Sequence, residues 1–366
     1  MYQALYRKYR PRTFDEVVGQ KHITKTLSNQ VKKGEISHAY LFSGTRGTGK
    51  TSIARIFARA LNCLSPVDGS PCYKCEVCKA LSEPNCMDIL EIDAASNNRV
   101  DEVREIREKV KFLPTNGKFK VYIIDEVHML TDSAFNALLK TLEEPPAHVV
   151  FILGTTEPHK LPQTILSRCL RFDFKLISPT ELKQHLISIF NKENINYEDS
   201  AVDLIVSAAQ GSVRDMLSIA DAVVSLGGGV ASYSNALSIL GATNQEKLFK
   251  FADQILSGNL GGAFEVVDEA IKGGINISVF AKDLTVHFRN LLVAKTCENC
   301  EGILNFPAEV VQKMKDQAKD ASEEELMFLM RNFSEIEPEL KYSLSPRTLV
   351  EVACVKAISG DGSKKN

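Results

Sequence analysis

A glycine-rich segment with one lysine is the strongest chemical signal in the chain. Residues 44 to 51 fit the G-x-x-x-x-G-K-T pattern of a P-loop. Glycine lets such a loop turn tightly, so that successive backbone N–H groups face a phosphate at the start of a helix. Lys50 is expected to reach the β- and γ-phosphates of ATP, and the Thr51 hydroxyl to ligate Mg²⁺. The nucleotide-binding residues predicted in this loop are Gly44, Thr45, Arg46, Gly47, Thr48, Gly49, Lys50 and Thr51.

The sequence on either side of the loop has the character that a P-loop needs. The apolar run from Ala39 to Phe42 predicts a strand before the loop, and the pattern from Thr51 to Leu61 predicts a helix after it. A glycine-rich turn with an accidental lysine is the alternative, but it would not require this strand and helix. The context therefore favours a nucleotide-binding loop.

Two adjacent acids, Asp125 and Glu126, directly follow the apolar run from Val121 to Ile124. A carboxylate at the carboxyl end of a parallel strand lies beside the P-loop in a doubly wound sheet. Asp125 is thus expected to hold Mg²⁺ through water, with Thr51 as the other ligand. Glu126 is placed to polarise the attacking water, which a site built only for binding does not need. Two solvated carboxylates are the alternative, but the pair favours hydrolysis.

Four cysteines, Cys63, Cys72, Cys75 and Cys78, lie within sixteen positions. In a chain without an apolar export signal they are expected to stay reduced, so their clustering indicates a metal rather than disulfides. Four thiolates suit tetrahedral Zn²⁺ and leave no open position for water, which predicts a structural site. An iron–sulfur cluster and free thiols are the alternatives, and Cys86 is a rival fourth ligand.

The elements that must position these residues have the rhythm of a parallel sheet. Short apolar or β-branched runs alternate with helical patterns, as in a sheet covered by helices on both faces. Ser178 and the proline that follows it have the pattern of a helix start, which places a domain boundary near residue 177. The predicted strands are Ala39 to Phe42, Ile89 to Ile92, Val121 to Ile124, Val149 to Leu153 and Leu170 to Phe174.

After this boundary the pattern is helical throughout. Candidate helices at Glu181 to Asn191, Ser200 to Ala209 and Ser212 to Leu226 predict a small three-helix domain. Further amphipathic helices follow it. The predicted organisation is a nucleotide-binding domain over residues 1–177 with a metal module at about 63–78, helical domains over 178–241 and 242–358, and a disordered tail over 359–366.

The composition sets the class of protein. The chain has 366 residues, of which 44% are hydrophobic and 25% charged, and no apolar run long enough to cross a bilayer. A membrane protein is therefore excluded at this stage, and a cytoplasmic location is expected. The net charge of −2 neither favours nor excludes a nucleic-acid partner.

Taken in order and spacing, the motifs resemble those of the AAA+ clamp-loader ATPases of bacteria. The resemblance is specific over residues 1 to 240 and rests on helical character beyond that point. It implies that the two helical domains are an ATPase lid and a collar. The motifs that carry it, with the P-loop and the cysteine cluster, are the segments 6–11, 17–20, 125–128 (Asp-Glu-Val-His), 154–158, 166–169 (Leu-Ser-Arg-Cys) and 211–215 (Gly-Ser-Val-Arg-Asp).

The resemblance also implies roles for single residues. Thr155, or less favourably Thr156, would be the sensor that contacts the γ-phosphate. Arg168 would be an arginine finger that reaches the ATP of a neighbouring subunit, and Arg214 a second sensor on the lid. Val18 and its neighbours would line the adenine pocket.

The same resemblance implies the work of the protein. Several such subunits would join delta, delta-prime and further copies of this chain through the collar, open the beta sliding clamp and load it on primer-template DNA, driven by ATP. No membrane partner is implied. A scaffold whose nucleotide is only structural, and another AAA+ machine such as a branch-migration motor, are the competing functions.

One segment has the charge pattern of a DNA contact. Donors near the start of a predicted helix, Val100 to Val110, could bind phosphates. The same helix carries acids, so a mixed solvated face is the alternative. The donors are Asn97, Asn98, Arg99, Arg104, Arg107, Lys109 and Lys111, and the acids are Asp101, Glu102, Glu105 and Glu108.

Overall fold

The structure of the protein, a computed structural model, describes residues 3–83, 86–96, 108–240, 245–297, 300, 303–304, 306 and 308–360. The chain divides into two units, Met1–Tyr233 and Ser234–Asn366. The P-loop, the two adjacent acids and the four clustered cysteines all lie in the first unit.

A parallel sheet of five strands forms the centre of the first unit. Its strands are β1 Ala39–Ser43, β2 Ile89–Asp93, β3 Lys120–Asp125, β4 Val149–Thr155 and β5 Leu170–Asp173. They lie in the order β2-β3-β4-β1-β5, and every neighbouring pair is parallel. The predicted five-stranded parallel sheet is confirmed. Because β1, β3 and β4 are parallel, their carboxyl ends meet at one edge, where ligands bind in open α/β sheets.

Helices cover both faces of this sheet. One face is covered by α2 Lys21–Lys33 and α3 Lys50–Asn62, and the other by α5 Asp132–Glu143 and α6 Gln163–Leu166. This part of the chain also has the short helices α1 Leu5–Lys8 and α4 Glu76–Ala80 and 3₁₀ turns at Val127–Met129 and Pro158–Lys160. Successive side chains of a strand point to opposite faces. Tyr40 and Phe42 of β1 accordingly join the core under α2 and α3, whereas Ala39 and Leu41 join the core under α5 and α6. This double burial explains why the inner strands β1, β3 and β4 read as nearly continuous apolar runs.

The lid, defined here as α7 Pro179–Glu193, α8 Asp199–Ala208 and α9 Val213–Leu226, follows the sheet. Ser178 caps α7 as predicted, because its side chain accepts a hydrogen bond from the Glu181 N–H at 3.3 Å. The expectation of a purely helical segment was wrong in one respect. Two short parallel strands, β6 Asn196–Tyr197 and β7 Val230–Ala231, pair across the lid.

Among the residues that the structure describes, the regular secondary structure of the second unit is all helical. Four phenylalanines form its centre: Phe251 makes edge contacts with Phe280 and Phe333, and Phe288 stacks on Phe333. The predicted helical domain is thus confirmed. From the last residue of the first unit onward, the helices are α10 Tyr233–Leu240, α11 Gln245–Leu256, α12 Leu260–Lys272, α13 Ile277–Thr296, α14 Ala308–Gln317, α15 Glu323–Leu340 and α16 Pro346–Ser359.

Some predicted features lie outside the described residues. They include most of the proposed DNA contact, residues 97–107, and the end of the proposed tail, residues 361–366. Within the described part of the chain, no helix is both long enough and apolar enough to span a membrane.

Candidate active site

The P-loop connects β1 to α3 and includes glycines in backbone conformations that other residues rarely adopt. The φ angle is +144° at Gly44 and +78° at Gly47. Space is equally restricted, because a Cβ on Gly44 would lie 2.5 Å from the Phe174 carbonyl oxygen and a Cβ on Gly47 1.9 Å from the Ser212 hydroxyl. Glycine at these positions therefore lets both the residue that follows β5 and the lid approach the loop backbone.

Lys50 begins α3 and is 6% exposed. Its ammonium donates hydrogen bonds to the carbonyl oxygens of Gly44 and Thr45, both at 2.8 Å. Burial lowers the pKa of Lys50, and the carboxylates of Glu126 and Asp125 partly offset this effect. The loop thus holds a buried cation at the start of a helix, where an anionic group is favoured.

Asp125 at the end of β3 and Thr51 in the first turn of α3 lie in contact. The Thr51 hydroxyl donates to Asp125 Oδ2 at 2.6 Å. The Asp125 carboxylate also passes close to the neighbouring strand β4, since a Cβ on Gly154 of β4 would lie 2.7 Å from Asp125 Oδ1. A hydroxyl and a carboxylate are hard oxygen donors, which suit Mg²⁺. These two residues therefore have the chemistry of the predicted magnesium ligands.

Glu126 is held by the residue that follows β4. It adopts a left-handed backbone conformation with φ of +47°, immediately after β3. Its Oε2 accepts hydrogen bonds from the backbone N–H of Thr156 at 3.2 Å and from the Thr156 hydroxyl at 3.0 Å. His128 Nδ1 lies 3.5 Å from the same oxygen. The carboxylate is therefore anchored beside the P-loop.

Thr155 and Thr156 have different surroundings. Thr155 is fully buried, and its hydroxyl oxygen accepts from the Glu157 N–H at 3.0 Å and lies 3.1 Å from His128 Nδ1. Only Thr156 of this pair bonds to Glu126. The sensor role that the resemblance implies for Thr155, or less favourably Thr156, stays a prediction, and the bond to Glu126 belongs to Thr156.

A cleft of about 490 Å³ lies along the P-loop. Val18, the residue expected near the adenine, lines its apolar part with Val17, Ile177 and Leu217. Its charged part brings together most of the predicted site residues. They are Arg46, Gly47, Thr48, Gly49, Lys50, Thr51, Asp125, Glu126 and Arg214. An apolar end suits a flat base, and an end that combines cations with two acids suits a triphosphate with its Mg²⁺.

The N-terminal segment also lines the cleft, which the sequence did not predict as a site. Tyr6, Tyr9 and Arg10 all border it, and the Arg214 guanidinium of the lid lies 5.7 Å from the centre of the Tyr6 ring. Burial, with help from the neighbouring cations Arg55 and Arg214, lowers the pKa of Arg10. The motif around Tyr6 and Arg10 was visible in the sequence, but no spacing rule connected it with the P-loop.

The same segment ties the lid to the rest of the first unit. The Lys8 ammonium lies 2.6 Å from the Glu193 carboxylate at the end of α7, and the Tyr9 hydroxyl donates to that carboxylate as well. Burial and the bond to Glu193 raise the pKa of Tyr9 to about 12, so its hydroxyl keeps its proton.

Arg168 is not among the residues that line the cleft. Its guanidinium donates to Glu143 at 2.9 Å and to the Thr164 carbonyl oxygen at 2.9 Å, and its side chain is 33% exposed. The structure thus does not bring Arg168 to the P-loop of its own chain.

The four predicted metal ligands form a compact cluster. The sulfurs of Cys63, Cys72, Cys75 and Cys78 all lie within 4.8 Å of one another, and those of Cys72 and Cys78 are 4.0 Å apart. Sulfurs bound at about 2.3 Å to a tetrahedral Zn²⁺ would be about 3.8 Å apart. The rival ligand Cys86 does not belong to the cluster. The geometry is therefore compatible with zinc.

Backbone N–H groups point at these sulfurs. Cys72 N–H donates to the sulfur of Cys63 at 3.3 Å, and Cys75 N–H to that of Cys72 at 3.4 Å. Bonds from the backbone N–H groups of Lys74 and Cys75 lower the pKa of Cys72 to about 6. Such donors stabilise a thiolate, which is the form that ligates metal.

Three family models match successive parts of the chain. They are described as DNA polymerase III, delta subunit, at residues 19–178; DNA polymerase III clamp loader subunit, ATPase lid domain, at residues 181–229; and DNA polymerase III subunits gamma and tau domain III, at residues 231–364. The DNA polymerase III subunit gamma of Buchnera aphidicola is 44% identical over 255 residues, which are 70% of this chain and 71% of that protein. The chain belongs to the DNA polymerase III gamma/tau subunit family.

Some members of the gamma/tau family are longer than this chain. The DNA polymerase III subunit tau of Bacillus subtilis is 46% identical over 97% of this chain, which spans 63% of that relative. Among solved structures, the Thermotoga maritima RuvB Holliday junction branch migration motor aligns with a TM-score of 0.49 at 20% identity, over 68% of this chain and 78% of that one. A likeness this distant has no bearing on function.

Proposed function

We propose that this gamma/tau family member is the ATP-driven motor subunit of the bacterial replicative clamp loader, an ATPase within the DNA polymerase III holoenzyme. The observation that carries the proposal is the position of Glu126. This carboxylate borders the P-loop cleft one residue after Asp125, which contacts Thr51 at 2.6 Å. A binding-only site has no need of a second anchored carboxylate at this place.

Each residue of the cleft has a share in this chemistry. Lys50 and the P-loop N–H groups bind the triphosphate, and Thr51 and Asp125 hold Mg²⁺. The metal, when bound, neutralises the charge of the β- and γ-phosphates. Glu126 orients the attacking water and accepts its proton. Arg214 on the lid approaches the phosphates, and Val18 contacts the adenine.

Arg168 is proposed to act on the ATP of a neighbouring subunit. Its absence from the lining of its own cleft and its partly exposed position support this assignment. An arginine supplied by a neighbour stabilises the charge of phosphoryl transfer and makes hydrolysis depend on assembly. The neighbours are further copies of this chain and the delta and delta-prime subunits, joined through residues 242–358. The assembled complex of these subunits acts on the beta sliding clamp and primer-template DNA.

The cysteine cluster is proposed to bind a structural Zn²⁺ through Cys63, Cys72, Cys75 and Cys78. It lies in a segment between α3 and β2 whose only described helix, α4, has five residues. A segment of this kind has little core of its own, so a metal would supply its stability.

The central test is ATP turnover in the assembled clamp loader. The change Lys50→Ala removes the buried cation and Glu126→Gln removes the proton acceptor, so each should lower turnover stimulated by clamp and primed DNA by about a hundredfold or more. If both variants still loaded clamps at the normal rate, the chain would instead be a scaffold with a structural nucleotide.

Mixed assemblies test the arginine finger. A subunit that combines Arg168→Ala with Lys50→Ala should slow hydrolysis by the wild-type subunit beside it. The Lys50→Ala subunit with Arg168 intact is the matched control. Equal turnover in the two mixtures would refute action on the neighbour.

A further inference from the structure

His128 occupies a place in the first unit that the proposed chemistry has not used. It lies in the 3₁₀ turn after β3, two residues beyond Glu126, and its side chain is 6% exposed. The imidazole stands between two carboxylates. Nδ1 is 3.5 Å from Glu126 Oε2, and Nε2 is 3.2 Å from Glu157 Oε2. Histidine is the side chain that can contact a separate partner with each of two ring nitrogens.

The partners of this ring are themselves fixed. A carboxylate accepts hydrogen bonds, and an imidazole with a hydrogen on each ring nitrogen can face a carboxylate from both sides. The Glu157 carboxylate also accepts a hydrogen bond from the Lys160 ammonium at 2.7 Å, and this bond is the main cause that lowers the pKa of Glu157. On the other side of the ring, Nδ1 lies 3.1 Å from the hydroxyl of the buried Thr155. The ring is therefore held from the end of β4 and from the turn that follows it.

The contacts to Glu126 all fall on one of its two oxygens. Oε2 accepts both hydrogen bonds from Thr156 and faces His128, whereas Oε1 has no hydrogen-bond partner among the described residues. One oxygen thus anchors the carboxylate and the other is left for a water molecule. A general base needs this division, because the oxygen that accepts the proton must be within reach of the water.

We propose that His128 is a positioning residue for hydrolysis, which keeps Glu126 Oε2 docked on the end of β4 so that Oε1 serves as the proton acceptor. The inference rests on the proposed ATPase function. It assigns to the histidine of the Asp-Glu-Val-His segment an effect on the chemical step rather than on nucleotide binding. His128 is not among the residues that line the cleft, so it acts through Glu126.

The test compares ATP affinity with single-turnover hydrolysis in the assembled clamp loader, because the proposed function makes hydrolysis depend on a neighbouring subunit. In His128→Ala we expect the hydrolysis rate at saturating ATP to fall at least about tenfold, because a misplaced catalytic group is inefficient even when it is present. The dissociation constant for ATP should stay within about twofold of wild type, since only the chemical step is affected. The exposed His159, in the next 3₁₀ turn, provides the control His159→Ala, which should change neither quantity.

Two conservative variants separate the sides of the ring and avoid an empty core position. The amide nitrogen of His128→Asn lies near the place of Nδ1 and can still meet Glu126, so it should recover much of the rate. The amide of His128→Gln reaches toward Glu157 instead and should recover less. Thermal unfolding of each variant confirms that it is folded.

The Glu126→Gln background decides whether His128 acts through Glu126. There, a His128 substitution should cause no further loss, because two residues that act as a unit are not additive. The inference would be overturned if His128→Ala lowered the hydrolysis rate in the Glu126→Gln background by the same factor as in wild type. It would also be overturned if His128→Ala alone hydrolysed ATP at the wild-type rate. If wild type hydrolysed no ATP, the proposed function would fail first. If only Glu126→Gln were slow, the function would stand and the role of His128 would fall.

Discussion

Replacing Gly47 by alanine should push the lid away from the P-loop. A Cβ on Gly47 would lie 1.9 Å from the Ser212 hydroxyl oxygen, 2.9 Å from the Ser212 Cβ and 3.4 Å from the Arg214 Cβ. These residues form the cap and the start of α9, so the overlap cannot be relieved by rotating the distal end of a long side chain. The lid or the loop must move.

The magnitude has two parts. The φ angle of +78° at Gly47 costs an alanine about 1 to 2 kcal/mol. Forcing a methyl group into a filled contact typically costs about 1 to 3 kcal/mol more. The sum, about 2 to 5 kcal/mol, applies to the nucleotide-free chain. Since Arg214 moves with α9, the affinity for ATP should also fall.

Gly34 provides a matched control for the backbone part. It ends α2 with a φ of +73°, and a Cβ there would meet nothing within 4 Å. Gly34→Ala should therefore lose only about 1 to 2 kcal/mol. Urea unfolding followed by far-UV circular dichroism measures both losses, and the transition of the second unit is an internal reference. Equal losses in the two variants would show that Ser212 does not restrict the P-loop.

Three further predictions concern other parts of the chain. Burial lowers the pKa of His287 from 6.5 to about 4, so the unfolded state binds a proton at a higher pH than the folded state does. The second unit should therefore lose, as the pH falls from 6.5 toward 4, stability that it has above pH 6.5. The loss is at most about 3 kcal/mol, and urea titrations of His287→Gln should lack this component. Chelation of zinc, or Cys75→Ser, should destabilise the first unit and not the second, with about one zinc per chain in the metal analysis of wild type. Removing the α7 cap in Ser178→Ala should cost about 1 kcal/mol in thermal unfolding, and no change would contradict the capping bond.

The sequence predicted those features that depend on neighbours along the chain. The strand before the P-loop and the helix after it are each defined by a local apolar pattern, and so is the strand that ends at Asp125. The four-cysteine cluster was likewise visible from spacing alone. What remained open there was the choice between Cys63 and Cys86, which depends on how the chain folds back.

Features that depend on tertiary packing were not predictable. Strands β6 and β7 have two residues each, too few to show a period of two. Arg10 reaches the cleft because the N-terminal segment packs against the lid, which no local rule describes. The choice between Thr155 and Thr156 depends on which way the chain turns after β4. His128 becomes informative only when Glu157 is known to lie on its far side.

The bond between Arg168 and Glu143 affects how subunits would recognise one another. Both side chains are partly exposed, so the pair contributes only about 0 to 1 kcal/mol. It nevertheless restricts a side chain whose free rotamers carry about 2 kcal/mol of entropy. Under the proposed function, the bond to Glu143 orders the Arg168 side chain before a neighbouring subunit docks, which meets part of the entropic cost of docking. The triphosphate of the neighbour's ATP then competes with the weakly bound Glu143 carboxylate for the guanidinium. Glu143 would thus keep the arginine from binding stray anions while leaving it available to a partner that carries ATP.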